Sequence, residues 1–214
     1  MKNKSILTIA LLPLILMSCL GDKKSVDLDE ASDTSSFINT DFKDNKINYQ
    51  KGMSACDNLT AQDIASIYEV SVDKIKIDDP KKVPYLEETD TPVCQYYVKS
   101  GDSDFMWLRG SISVQREKTK DEYPDYAADQ SEHSENWQDI WALQKSISES
   151  SEWVEDLGIA AVWKASKNEL KIKFEGYTLI VYPPFNRLNE TEKAENRDYK
   201  KAAIAIAEAA GYTN

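Results

Sequence analysis

The chain has 214 residues and a formal charge of −11 at neutral pH, from 37 acidic and 26 basic side chains. That balance excludes a nucleic-acid binder, which needs a basic footprint against phosphate, and it argues against lying flat on an anionic membrane. It suits an exported domain kept in solution by its charge and steered toward cationic partners.

In chain order, Lys2 and Lys4 precede an apolar run from Ile6 to Met17, interrupted by Pro13. The run is shorter than the roughly 20 residues needed to cross a bilayer core, but it has the length and flanks of a secretory signal. It closes on Leu16-Met17-Ser18-Cys19, which resembles the lipobox of bacterial lipoproteins. The resemblance implies that residues 1–18 are a signal peptide, that cleavage precedes Cys19, and that Cys19 carries diacylglycerol and an acylated amine. The bilayer is then a partner through acylated Cys19, because two or more acyl chains hold where one is marginal. Leucine at position 20, in place of aspartate, implies outer-membrane sorting in a host with two membranes, and a lipid-anchored place in the cell envelope in any host. Residues 1–18 hold Lys2 and Lys4 and no acid, so the mature charge is about −13.

Residues 19–51 comprise the acylated cysteine and a segment rich in Asp, Ser, Lys and Asn without apolar periodicity, the composition of a flexible tether. Some 30 such residues hold a domain about 30 Å from the lipid. Phe37, Ile38 and Phe42 are apolar enough to dock on the domain C-terminal to them. Residues 52–214 suffice for one domain with its own core, and no fixed-period repeat divides them.

Within that domain Leu59-Thr60-Ala61-Gln62-Asp63-Ile64 opens a helix. Thr60 and Asp63 form a capping box, Leu59 and Ile64 a hydrophobic staple, and the helix ends near Glu69. Cys56 and Cys94 are an even pair once Cys19 is acylated, and in an exported chain such a pair reads first as a disulfide. Closing that loop stabilises the fold by about 4 kcal/mol on the chain-entropy model. Two free thiols or a metal pair are the alternatives, although no CxxC is present and the lone His133 lies in a polar run.

Alternation predicts a strand over 94–99, a turn over 100–104 and a second strand from Met106 to Val114. The spacing of Trp137, Ile140, Trp141 and Gln144, with Leu143 and Ile147 beside them, predicts a helix between about 129 and 148. Strands are expected next at 160–164, 170–175 and 177–182. The second of these alternates Leu170, Ile172 and Phe174 with Lys171, Lys173 and Glu175, so one face should be wet. Asn189, with Glu192, is the expected cap of a last helix that docks by Tyr199, Ala203, Ile206 and Ala210 and stops at Gly211. The fold class is α+β, an antiparallel sheet packed with N-terminal, middle and C-terminal helices.

The stretches "ACDNLTAQDIASIYEV", "CQYYV", "WVEDLGIAAVWKASKNELKIKFEGYTLIVYPP" and "KKAAIAIAEAAG" are similar in order to a broad group of bacterial lipoproteins and extracellular sensor-like domains. That group includes the outer domains of some actinobacterial receptor kinases. The matching positions are Cys56, Leu59, Thr60, Cys94, Val154, Leu157, Gly158 and Ala161. The resemblance implies ligand or partner binding without catalysis.

No G-x-S-x-G, H-E-x-x-H, phosphate loop or dinucleotide fingerprint occurs. His133 among serines and glutamates lacks an evident nucleophile, and Asp102 with Asp104 supplies too few oxygens for calcium. The expectation is a protein that is not an enzyme and uses neither cofactor nor metal. Trp107, on the outward side of its strand, and Trp137 with Trp141 on one helix face are the candidate ligand-binding residues, provided they converge in a groove. Otherwise the helix covers the sheet face and buries them. The leading expectation is a noncatalytic, sensor-like binding lipoprotein taking a small ligand. The alternative is an acidic inhibitor or immunity lipoprotein neutralising a cationic envelope enzyme or toxin.

Overall fold

Thr60 fixes the start of the first helix, α1 (Ala61–Tyr68). Its hydroxyl accepts the Asp63 N–H at 3.2 Å, and the Asp63 carboxylate accepts the Thr60 N–H at 2.8 Å, so the predicted capping box is closed. Leu59 and Ile64 are both buried, as a staple requires. Glu69 ends the helix in the left-handed region at φ 55°. The computed structural model describes residues 37–43, 54–78, 92–101, 105–117, 137–185 and 197–212. The signal segment, Cys19, Asp102, Asp104, His133 and Asn189 lie outside the described residues.

Seven strands form one sheet: β1 (Ile75–Asp78), β2 (Val93–Lys99), β3 (Trp107–Arg116), β4 (Ser151–Val154), β5 (Ala160–Lys164), β6 (Glu169–Phe174) and β7 (Tyr177–Tyr182). Their order is β1-β2-β3-β7-β6-β5-β4, with every neighbouring pair antiparallel. With α1, α2 (Trp137–Ser146) and α3 (Tyr199–Ala209), this is the α+β class expected from the alternation. Two short strands at the edges, β1 and β4, were not legible as strands. Lys76-Ile77-Asp78 looks like loop sequence, yet β1 pairs with β2 and buries Ile75. Met106 stays exposed and β3 begins one residue later.

The register sorts side chains onto two faces. Cys94, Ile112, Val181, Leu170 and Trp163 stand in one row across β2, β3, β7, β6 and β5, and all are buried. They belong to one apolar core with Ile64, Ala65 and Tyr68 of α1 and Ala203, Ile206 and Ala207 of α3. Helix α3 meets β6 and β7, and α1 meets α3 and β1. The docking stripe expected for α3 is the buried one, with Tyr199 half-buried at its start. Gly211 follows its end in the left-handed region at φ 85°. Its cap is Asp198, whose carboxylate accepts the Lys201 N–H at 3.0 Å. The expected cap at Asn189 is therefore corrected: the helix begins ten residues later.

The opposite face carries Trp107, Lys173, Val162 and Trp153. The expected wet side of β6 is dry at Lys173, which is 2% exposed. Its ammonium donates to the Phe174 carbonyl at 2.6 Å, pairs with Glu117 beyond the end of β3, and lies 5.4 Å from the Trp137 ring centre. A lysine is buried only when its charge is paired and its donors are used, and here both conditions are met. Sequence alternation reads lysine as solvent-facing because it cannot anticipate that a helix from elsewhere will cover it. Helix α2 supplies that cover through Trp137, Trp141 and Ala142, while Gln144, Leu143 and Ile147 of the predicted stripe are exposed.

Residues 37–43 form a strap that passes from this face to the core face. Phe37 stacks on Trp153 with ring centres 4.0 Å apart and meets Trp137 edge-on at 6.3 Å. The Asn39 N–H donates to the Ile159 carbonyl at 2.8 Å, and Phe42 then meets Phe174 of the core face at 5.6 Å. Two of the three apolar residues noted in the tether, Phe37 and Phe42, thus dock.

Candidate functional site

The three candidate tryptophans do not converge. Trp137 and Trp141 meet edge-on at 5.5 Å within the cluster that includes Phe37 and Trp153, and Trp141 is buried. Trp107 pairs with Lys99 at the opposite end of β3 and has the Lys76 ammonium 3.9 Å above its ring. In register, Lys173 is level with Gln115 and two strands away from β3. At about 3.4 Å per residue and 4.8 Å per strand, Trp107 is roughly 25–30 Å from Trp137. The pair on α2 covers sheet and strap, and no groove joins it to Trp107.

Cys56 and Cys94 do meet. Their Cα atoms are 5.4 Å apart across 38 positions of sequence, the spacing of a disulfide. Both side chains are buried, so this pair ties the segment before α1 to the beginning of β2. Among the described residues no three His, Cys, Asp or Glu side chains gather as a metal site.

The concave feature lies elsewhere, at the end of the sheet where β2 finishes and β3 begins. A cleft of about 940 Å³ opens between the C-terminal end of α1, the β2–β3 hairpin and the first turns of α3. Its apolar wall includes Ile67, Val98, Leu108 and Ala205. Four cations line it, Lys74, Lys99, Arg197 and Lys201, against two carboxylates, Glu69 and Asp198. Locally the sign of the charge is opposite to that of the chain.

The walls are held by hydrogen bonds between distant parts of the sequence. Arg197 donates to the carbonyls of Ile67 at 3.3 Å and Tyr68 at 3.1 Å, and its guanidinium lies 4.8 Å from the Tyr68 ring centre. It occupies carbonyls that α1 leaves open at its C-terminal end, where a cation is favoured. The Tyr68 hydroxyl donates to the Pro184 carbonyl at 2.8 Å, which fixes the chain leaving β7 against α1. Burial pushes that hydroxyl well above the ordinary tyrosine range, against the opposing pull of Arg197. Tyr96 lies across Gly110, and its hydroxyl reaches the Tyr182 carbonyl at 3.1 Å. Its titration is likewise raised by burial.

Two carboxylates near the cleft are already engaged. Asp198 caps α3. Asp73, beside the cleft, is held below the ordinary carboxylate range first by its hydrogen bond with Ser71, with Lys74 and Lys99 adding to the effect. The lining is drawn from five segments, so no single motif carries it. The only local signal was Tyr199, read as part of a docking stripe. Lys74, Lys99, Arg197 and Lys201 looked like any surface charge. Comparison of the chain with protein-family models, with curated proteins and with solved structures returns no match.

Proposed function

We propose that the chain is a lipid-anchored protein of the cell envelope whose domain binds a ligand in the cleft beside α3 and performs no chemistry on it. The cleft carries this reading. Its volume lies within the range of roughly 300–1,000 Å³ typical of small-molecule sites, and its mixture of apolar wall and converging polar groups is what such sites require. The Lys2-Lys4 start, the apolar run and Leu16-Met17-Ser18-Cys19 support export and acylation at Cys19, with the outer membrane as destination where one exists. The spacing of Cys56 and Cys94 supports an oxidised pair in that compartment.

Two measurements test the reading. Mass spectrometry of the mature protein should find the chain beginning at an acylated Cys19 and lacking two thiol hydrogens. Cys19→Ser should release the protein from the membrane fraction. An uncleaved, unmodified chain in the cytosol would overturn the anchoring. Chemical-shift mapping with extracts of envelope small molecules should move amides around Val70, Ser100 and Ala205. Saturable binding confined to the α2 aromatic cluster would overturn the cleft as the site.

The chain's −11 charge favours a second reading, an inhibitor or immunity lipoprotein that neutralises a cationic envelope protein. Its mark is capture of a basic protein from envelope extract at low salt and loss of that protein at high salt.

A further inference from the structure

We propose that the ligand of the cleft is an organic anion with an apolar body: a carboxylate or phosphate monoester carried on an aliphatic chain. The proposal deepens the reading of the cleft as the binding site and rests on it. Three observations carry it. First, the lining has four cations and two carboxylates, whereas the whole chain has 26 basic and 37 acidic residues. A cationic ligand would be attracted almost anywhere on this surface and least of all here. An anion finds here a concave part of the molecule with the opposite sign.

Second, the two acids in the lining do not neutralise the site equally. The Asp198 carboxylate is turned to the Lys201 amide as the α3 cap. Arg197 is fixed by the carbonyls of Ile67 and Tyr68, so it forms part of the wall and adds its positive field there. Lys99, at the end of β2, and Lys201, in the first turn of α3, stand on different walls and frame the opening. An anionic head placed between them receives charge from two sides.

Third, the interior behind these heads is apolar. Ile67, Val98, Leu108 and Ala205 come from α1, β2, β3 and α3. Burying an aliphatic chain against them contributes about 0.8 kcal/mol per methylene removed from water. A head group alone, such as inorganic phosphate, would leave that wall wet, and a neutral chain would gain nothing from the local excess of positive charge. The combination selects an amphiphile whose head is negative.

The test uses the full chain and four probes of equal chain length: dodecanoate, dodecyl phosphate, dodecyl maltoside and dodecyltrimethylammonium, each below its micelle concentration, with inorganic phosphate as a fifth. Amide shifts and calorimetry report site and affinity. Dodecanoate or dodecyl phosphate should saturate at amides of Val70, Ser100, Leu108 and Ala205, at least tenfold tighter than the neutral or cationic probe. The stronger of the two anions tells a free acid from a phosphate monoester. Lys99→Gln combined with Lys201→Gln should weaken the anion by about tenfold, the worth of one charge-assisted hydrogen bond, while the urea midpoint stays unchanged. If the maltoside binds the same amides as tightly as the anions, the cleft remains the site and the anionic class is overturned. If inorganic phosphate binds as well as dodecyl phosphate, the apolar body is overturned. If no probe moves these amides, both the class and the cleft as ligand site are overturned.

Discussion

A methyl group added at Gly110 has no room. Its Cβ would meet the Tyr96 ring, stand 2.5 Å from Pro184 Cδ and lie 2.7 Å from the Tyr182 carbonyl oxygen. The last of these is backbone and cannot swing aside. Gly110→Ala should therefore destabilise the fold by about 1–3 kcal/mol, the usual cost of overpacking, read as a lower urea midpoint with an unchanged slope. Because Pro184 also borders the cleft, amides there should shift even where the variant stays folded. Full stability in the variant would show that Tyr96 does not lie over Gly110. Strand alternation placed Gly110 on the core side, but the ring above it was not legible. The Tyr96 hydroxyl reaches a carbonyl 86 residues away in sequence, and local patterns do not extend so far. The Thr60 and Asp63 pair was legible for the opposite reason, since both partners lie within one helical turn. Hydrogen bonds from the Thr60 side chain and then its backbone hold Asp63 below the ordinary carboxylate range. A depressed native value means the contribution is complete above the unfolded value near pH 4 and is lost as pH falls through the native one. Thr60→Ala should cost about 1 kcal/mol at pH 7. It should also flatten stability against pH between about 4 and 2 relative to the parent, because this linkage is gone. An unchanged slope would exclude the box as its source.

At the level of elements, the strap and α2 depend on one another. Phe37 lies between Trp153 of β4 and Trp137 of α2, and Lys173 beneath is kept dry by the same helix. Phe37→Ala removes a stacked and an edge-on contact, each worth about 0.5–1.5 kcal/mol beyond area burial. The expected result is a loss of about 2 kcal/mol with a red shift of tryptophan emission, as the cluster admits water. Unchanged emission would mean that α2 holds its place without the strap. Composition marked residues 19–51 as a tether because that stretch is polar overall, and three aromatic or aliphatic residues were the sole hint of docking. The inner strands of the sheet were readable because alternation over five or more residues has a period. Edge strand β4, Ser-Glu-Trp-Val, is too short to show one. Edge strand β1, Ile-Lys-Ile-Asp, alternates once but runs into acids and a proline in sequence. Short charged edges also discourage pairing with other chains, so the feature that hides them in sequence has a use in the fold.

Across the whole molecule, strap and cleft occupy opposite corners of the sheet. The cleft adjoins the end of β2, the start of β3 and Pro184, whereas the strap crosses beside Trp153, Ile159 and Phe174. Three strand spacings and about six residues of strand separate these places, roughly 25 Å. The position of the strap shortens the link to the proposed anchor. A flexible segment of residues 20–36, as their composition predicts, spans about 20–25 Å on average. The corner bearing the strap is then held toward the lipid and the cleft is carried to the far side, open to the compartment and not to the bilayer surface. An anionic amphiphile would reach it from solution, or from a carrier, more readily than by lateral diffusion in the anchoring leaflet. The arrangement is testable in vesicles containing the acylated protein and nitroxide-headed lipids. A fluorophore at Glu155→Cys, beside the strap, should be quenched more strongly than one at Val72→Cys, beside the cleft. Moving the anchor should reverse the order: a Cys19→Ser chain tethered instead through a lipid-linked cysteine at the C-terminal Asn214 has no reason to present the strap corner first. Equal quenching at both labels in the natively anchored protein would mean that the strap does not set the orientation, and that the cleft meets the membrane as often as it meets the solvent.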